Sequence, residues 1–220
     1  MTVIEFNFND DWMGEISRRL GDLNDKTPDV ISQATNSTAR KARKLIVQSL
    51  REHYAEDAKT KEYNAAMKIA RASRKKYDAT IYIRGKVQSL RRFNVSPKDP
   101  PASGSSRPPT TRAQVLLQGG LKELNKGGIK AFITTFKNGD VVVAQRNGSF
   151  YTYHRPTGGI DRHHEAIDKL WSIGIPKMAE SQLDPKTVRG NMRDTIQAIL
   201  VEEIEKQIAR QLAKHGGNAG

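Results

Sequence analysis

The chain has 220 residues, no cysteine and a formal net charge of +13. The missing thiols exclude disulfide frameworks, thiolate zinc sites and cysteine nucleophiles, and no apolar run reaches the roughly 18 residues of a membrane-spanning helix. A hydrophobic fraction of 36% predicts a folded core in a single domain, 1–220, and the lack of a signal-peptide pattern leads us to expect a protein made and kept in the cytoplasm.

The first half of the chain has the pattern of one strand followed by helices. Thr27-Pro28-Asp29 provides a capping hydroxyl, a proline at the first helical position and an acid in the first turn. A long helix is therefore expected to begin here, with small residues such as Ala34 and Ala42 on its buried side. The predicted elements are a strand at 4–8 and helices at 10–23, 28–54 and 57–73.

Positive charge is concentrated in the centre of the chain. Residues 40–98 hold 17 lysines and arginines against 5 acids, and Arg40, Lys44 and Arg51 fall on one face of the predicted long helix. Such a block favours a polyanionic neighbour, either nucleic acid or an acidic protein face, although a surface that only keeps the chain dissolved has the same pattern. The candidate assembly-facing or DNA-facing residues are Arg40, Lys44, Arg51, Arg71, Arg74, Lys75, Lys76, Arg91 and Arg92.

The second half predicts an antiparallel meander and a closing helix. Asn138-Gly139 and Asn147-Gly148 are typical hairpin turns. Five prolines with Gly and Ser predict an exposed arm at 97–112 that is functional or ordered by a partner. The predicted elements are strands at 79–83, 87–95, 115–117, 131–136, 141–145 and 150–153, an irregular stretch at 155–164, a helix at 186–214 and a flexible tail at 215–220. This order indicates an α+β fold in which a meander of five to six strands packs against two or more long helices.

Catalytic motifs are sparse. His163, His164 and Glu165, with His154 and Asp168 nearby, lack the helical spacing of two histidines that a zinc protease needs. The chain has no phosphate-binding glycine loop and no Gly-x-Ser-x-Gly element, and the pair Glu202-Glu203 is predicted to lie on a solvated helix face. We therefore expect no enzymatic activity, no cofactor and no metal, and a metallonuclease built on His163 and Glu165 is the catalytic alternative.

The order of these features resembles a known family. The run Leu23 to Thr27 leads into the Ala- and Arg-rich helix, and the segment from Ala79 ends in Arg92-Phe93-Asn94-Val95. Further along are a Lys- and Gly-rich approach to Ala131-Phe132-Ile133, then Arg146, and then Leu170 to Met178 before the last helix. Over residues 20–213 this order is similar to the phage minor tail protein Z family, the lambda-type tail completion proteins. The chain has Ile173-Gly174-Ile175-Pro176 where members typically carry a Gly-Pro-Ser-like element.

The resemblance implies a structural protein of a tailed phage or prophage virion, acting in tail completion and head-to-tail joining at the head-proximal neck of the tail. It implies a homo-oligomeric ring, tail terminator and head-tail connector proteins as neighbours, and assembly in the host bacterial cytoplasm. Around a DNA channel, the basic face would meet DNA without sequence preference or an acidic neighbouring ring. The alternative is a non-specific DNA-binding protein acting through the basic 40–98 segment.

Overall fold

The computed structural model describes residues 1–6, 10–102, 110–153, 162–184 and 191–216. Within them the predicted α+β class and the long C-terminal helix are confirmed. The α-helices are α1 (Asp10–Leu20), α2 (Thr27–His53), α3 (Thr60–Ala66), α4 (Ile175–Leu183) and α5 (Asn191–Gly216). The strands are β1 (Thr2–Phe6), β2 (Met67–Ala70), β3 (Ala79–Ile83), β4 (Asn94–Ser96), β5 (Arg112–Gln114), β6 (Lys122–Glu123), β7 (Asn125–Lys126), β8 (Ile129–Lys130), β9 (Phe132–Thr135), β10 (Val141–Tyr153) and β11 (Arg162–Lys169).

The chain forms two compact units, where the sequence predicts a single domain. The helical unit comprises Met1–Leu50, Lys59–Lys86 and Gly174–Gly220, and the sheet unit comprises Arg51–Ala58 and Val87–Ile173. The chain therefore passes between the units four times, and neither unit is one continuous segment. A division of this kind leaves no linker composition to detect along the sequence.

Three helices build a core in the helical unit. Its buried side chains are Ile16 and Leu20 from α1, Val30, Ile31 and Ala34 from α2, and Leu200, Ile204 and Ile208 from α5. Burial of Ala34, Thr38 and Ala42 on α2 agrees with the predicted inner face, since small side chains let neighbouring elements approach the helix axis closely. The exposed stripe of α2 within this unit contains Gln33, Arg40, Lys44 and Gln48.

A three-stranded antiparallel sheet, ordered β1–β3–β2, completes the helical unit. The sequence prediction of one helix over 57–73 is wrong, because α3 ends at Ala66 and Met67–Ala70 pairs with β3. The sequence pattern also predicts that the strands at 79–83 and 87–95 pair as a hairpin. This prediction is wrong, since β3 pairs with β1 and β2. Tyr63, Met67 and Ala70 fit the spacing of a helix, whereas Met67 and Ile69 are also two apart, as on one face of a strand.

The sheet unit contains small antiparallel sheets ordered β4–β5–β6 and β11–β10–β9, together with the pair β7–β8. The turn at Asn138-Gly139 is confirmed between β9 and β10, with Gly139 at φ +83°. Asn147-Gly148 is not a hairpin turn, because β10 continues through it with a shifted register between Arg146 and Phe150. Positive φ at Gly148 serves a bulge as well as a turn. Strand β11, the partner of β10, includes residues 162–164, which the sequence pattern predicts to be irregular.

Two smaller predictions fall partly outside the described residues. Of the arm predicted at 97–112, residues 103–109 lie outside them, and Arg112 already pairs with β6. Of the tail predicted at 215–220, residues 217–220 lie outside them, and α5 continues through Gly216. Among the helices that the structure describes, none has both the length and the apolar character of a membrane span.

Candidate binding surfaces

The turn between β2 and β3 is fixed to the first half of α2. Asn36 Nδ2 donates to the Ala72 carbonyl at 3.0 Å, and Asn36 Oδ1 accepts from the Ala72 amide at 2.9 Å. A second contact joins the same turn to α2, since Arg74 Nε lies 2.9 Å from Asp29 Oδ1. Because Asp29 and Asn36 are seven residues apart, they lie on one side of α2. The cations of this turn are therefore held at a defined place.

Exposed cations continue along that side of α2. Arg40 lies one turn beyond Asn36, and Lys44 lies one turn further; both are exposed. We define the basic face by the exposed cations of α2 and the turn that form no ion pair with another described residue. They are Arg40, Lys44, Arg71, Lys75 and Lys76. Such solvated cations attract phosphate without sequence preference, and salt screens that attraction.

The other predicted cations have different surroundings. Arg74 is exposed but paired with Asp29, and Arg51 is exposed in the sheet unit. Arg91 and Arg92 are half-buried. The nine predicted residues are thus divided between the two units and between paired and solvated states. Their shared role in assembly or DNA contact stays a prediction.

Arg92 neutralises a buried carboxylate in the sheet unit. Its Nε lies 3.3 Å from Glu56 Oε1, and the Glu56 side chain has no exposed surface. The backbone supports the pair, since the Asp57 amide donates to the Arg92 carbonyl at 2.7 Å. Removing a partner from a buried charge is costly, so Arg92 has a structural role here. Arg91 lies 3.9 Å from Asp99, and both arginines line a 370 Å³ cavity with Glu56.

An exposed part of the sheet unit is the far half of the β10–β11 strand pair. Only Val141–Ala144 of β10 pair with β9, so beyond them β10 pairs with β11 alone. Val142, Val143 and Ala144 are buried, whereas every residue from 146 to 152 is exposed. We call residues 146–152 and 163–167 the distal ribbon. Two aromatic rings stand out on it, since Phe150 is 70% exposed and Tyr151 is 54% exposed.

The distal ribbon also contains the histidines noted in the sequence. Tyr151 stacks on His164 with ring centroids 5.7 Å apart, and His163 Nδ1 lies 3.2 Å from Thr152 Oγ1. Glu165 pairs with Arg146 at 3.2 Å. Because neighbouring strand residues point to opposite faces, His163 and His164 do not converge. His154 lies outside the described residues, and among those described no group of three His, Cys, Asp or Glu side chains is placed to hold a metal ion.

An ion pair joins Lys41 of α2 to a buried carboxylate of α5, and the sequence prediction missed it. Glu203 is 1% exposed, so the prediction of a solvated Glu202-Glu203 face is wrong for Glu203. Burial raises the pKa of the Glu203 carboxyl, but hydrogen bonds from Lys41 and Ser37 outweigh it, and the pKa lies below its ordinary value. The Lys41 ammonium lies 2.7 Å from Glu203, and this hydrogen bond raises the pKa of Lys41.

The signal for that ion pair is present in the C-terminal helix. Glu203, Gln207 and Gln211 are four residues apart and buried, next to the apolar row that includes Ile204 and Ile208. The buried stripe of α5 is therefore wider than its apolar residues alone indicate. Lys41, which lies on α2 four residues after Ser37, supplies the positive charge that compensates Glu203.

No protein-family model, curated protein or solved structure matches the chain. The surfaces described above, and the order of features along the sequence, are what bear on function.

Proposed function

We propose that the protein is a structural assembly protein of a tailed phage virion that binds neighbouring subunits through the distal ribbon. It acts in tail completion and head-to-tail joining at the neck, as a homo-oligomeric ring beside tail terminator and connector proteins. The resemblance in the order of sequence features supports the tail role. The distal ribbon supports the more general role in assembly, and it is the observation on which the proposal depends.

The energetics of the distal ribbon favour a partner. An isolated two-stranded ribbon is at best marginally stable in water, and here both faces of the ribbon carry exposed side chains. Aromatic side chains such as Phe150 and Tyr151 bury about 150–250 Å² each when covered, and they are enriched where interfaces gain most of their binding energy. A neighbouring subunit that covers them gains affinity at little ordering cost, because cross-strand contacts already restrain the ribbon.

The backbone of the ribbon provides a second contribution. The outer edge of β10 beyond Ala144 is not paired with β9 or any other described strand, and β11 is the edge strand of its sheet. Unpaired strand edges bind other strands through main-chain hydrogen bonds. The ribbon therefore has aromatic side chains for affinity and open backbone edges for alignment.

Mass measurement in solution tests this proposal. We expect the wild-type protein to form a concentration-dependent homo-oligomer in multi-angle light scattering or sedimentation. The double variant Phe150→Ser, Tyr151→Ser should associate at least ~10-fold more weakly, equivalent to a loss of about 1.4 kcal/mol. Val87→Ser is the matched control, because Val87 is an exposed apolar residue of the same unit outside the ribbon. A monomeric wild-type protein, or equal association by the double variant, contradicts the proposal.

The basic face favours one second candidate, non-specific DNA binding. Five exposed cations without an ion-pair partner among the described residues lie along one side of α2 and its attached turn. Fluorescence anisotropy with duplex DNA at several salt concentrations tests it. Lys75→Glu with Lys76→Glu should weaken binding equally across sequences and reduce the salt slope by about 1 for each phosphate that is no longer neutralised. Tight binding to duplex DNA by a monomer, equal across sequences and retained at physiological salt, would favour this candidate over assembly.

A further inference from the structure

Within the described residues, the outer edge of β1 is open. Among the described strands, β1 pairs with β3 alone and lies at the edge of its sheet. On the other side of β3, the Arg84 amide donates to the Ala66 carbonyl at 2.8 Å. In an antiparallel ladder successive residues direct their backbone groups to opposite sides. The even-numbered residues of β3 therefore bond β2, and the odd-numbered residues bond β1.

The register identifies the backbone groups of β1 that face outward. The odd-numbered β3 residues are opposite Thr2, Ile4 and Phe6, so these three bond β3. Val3 and Glu5 consequently direct their N–H and C=O groups away from the sheet. In the part of the chain that the structure describes, no strand pairs with these groups. They form a short template for one more strand.

A groove of 630 Å³ runs along this edge. Besides β1, it is lined by the end of α4 and the first half of α5. Leu183, Ile196 and Leu200 supply an apolar surface that continues the inner face of the sheet. Side chains of an added strand would alternate between this surface and solvent. The groove thus offers main-chain hydrogen bonds together with sites for alternate apolar side chains.

The charge of the groove is opposite to that of the protein. Among the described residues, its lining includes the acids Glu5, Glu180 and Asp184 and one cation, Arg193. Arg193 Nε already donates to the Leu183 carbonyl at 2.9 Å. Lys177 approaches Glu180 at 3.3 Å in an exposed pair, and such a pair is worth little. A chain of net charge +13 therefore has an acidic groove beside an open strand edge.

We propose that this groove accepts an extended basic segment of another protein chain as a fourth strand of the sheet. Apolar side chains of that strand face Ile196 and Leu200, and the alternate Lys or Arg side chains lie on the solvent side, beside Glu5. The inference is independent of the distal ribbon, which belongs to the sheet unit. Loss of ribbon-mediated association would leave it intact, and the reverse also holds.

Amide hydrogen exchange measured by NMR tests the proposal with a defined probe. The probe is an acetylated and amidated hexapeptide of alternating valine and lysine, and its control has glutamate in place of lysine. In the protein alone, we expect rapid exchange at Val3 and Glu5 and slow exchange at Ile4. The basic peptide should slow exchange at Val3 and Glu5 at least ~10-fold, as new strand hydrogen bonds would. The acidic peptide should not.

Substitutions separate the hydrogen bonds from the charge. Val3→Pro removes only an outward donor, which an edge strand tolerates, and should weaken the basic peptide at least ~10-fold by anisotropy. Glu5→Lys should weaken it through repulsion, whereas Glu123→Lys, an exposed acid of the sheet unit, should not. A probe that is N-methylated at every backbone amide gives the same test if Val3→Pro does not fold.

Three results would overturn the proposal. Slow exchange of Val3 and Glu5 in the protein alone would show that the edge is already paired. Equal binding of the basic and acidic peptides would show that the carboxylates do not contribute to binding. Unchanged binding of the N-methylated probe would show that the peptide does not bind as an added strand.

Discussion

Helix α2 and the distal ribbon differ in how their side chains are used. Thirteen of the 27 residues of α2 are buried, so the contacts that stabilise this helix lie within the chain. In the distal ribbon, residues 146–152 are all exposed although β10 stays paired with β11 on both sides of the bulge. Regular secondary structure with little burial contributes weakly to stability. The comparison separates a region selected for folding from one whose aromatic surface is available to a partner.

The largest effect is expected in the core around α2. Ile31 is 0% exposed and packs in the cluster of α1, α2 and α5. Ile31→Ala leaves a cavity and should lower the free energy of unfolding by about 2–5 kcal/mol. Urea denaturation followed by far-UV circular dichroism measures it. Gln33→Ala, on the exposed stripe of the same helix, should change stability by less than about 0.5 kcal/mol. A similar loss of stability in both variants would contradict the distinction between the buried and exposed faces of α2.

The second effect concerns the ion pair between Lys41 and the buried Glu203 carboxylate. In Lys41→Met, no ammonium compensates for the burial of the Glu203 carboxylate. The pKa of Glu203 should therefore rise, and the protein should lose stability at pH 7. In the wild type the pKa of Glu203 lies below its ordinary value of 4.5. A lowered pKa contributes stability that is complete above the ordinary value and is lost as pH falls through the folded value. The difference between wild type and variant should therefore shrink as pH falls through the raised pKa of Glu203 in the variant and then through its lowered pKa in the wild type.

Thermal melts at pH 7 and pH 3.5 check this prediction. Lys44→Met is the matched control, because Lys44 lies three residues further along α2, is exposed and forms no ion pair with a described residue. It should show no pH-dependent difference from the wild type. If Lys41→Met is as stable as Lys44→Met at pH 7, the ion pair does not offset the burial of Glu203.

The sequence was sufficient for α2 and insufficient for the ribbon. Thr27-Pro28 and the separation of small from charged residues located the long helix within a residue of its observed ends. Asn147-Gly148 predicted a hairpin turn, but positive φ at Gly148 is equally compatible with a bulge inside a long strand. Local residue preferences do not distinguish these outcomes, because the pairing of β10 with β11 decides between them. That pairing is a tertiary property.

The candidate surfaces show the same limit. Helical spacing predicted the exposure of Arg40 and Lys44, and the structure agrees. It did not predict that Arg92 neutralises Glu56 or that Glu203 is buried beside Lys41. Charge along a sequence identifies cations, but only packing shows which of them are already neutralised. The acidic groove beside β1 had no sequence signal, because its lining comes from three separate elements.

A smaller effect is expected where the β2–β3 turn meets α2. Asn36→Ala removes two hydrogen bonds to Ala72, which is buried. Leaving these backbone groups unsatisfied should cost about 1–3 kcal/mol, and the Ala72 amide should exchange faster in NMR. Affinity for duplex DNA, if the basic face binds it, should fall as the turn becomes less ordered. Unchanged Ala72 exchange would show that Arg74 and Asp29 suffice to hold the turn.

The smallest effect on folding is expected at the tip of the ribbon, and it makes the comparison sharpest. Phe150 is 70% exposed, so Phe150→Ala should change the free energy of unfolding of the dilute protein by less than about 0.5 kcal/mol. Association stabilises only the folded state, so the melting temperature rises with protein concentration. We expect that concentration dependence in the wild type and its loss in Phe150→Ala, measured by calorimetry across a ~100-fold concentration range. A residue that matters only when the protein is concentrated contacts another molecule. A Phe150→Ala variant that is destabilised even when dilute would instead place Phe150 in the folding core, as Ile31 is, and the contrast between α2 and the ribbon would disappear.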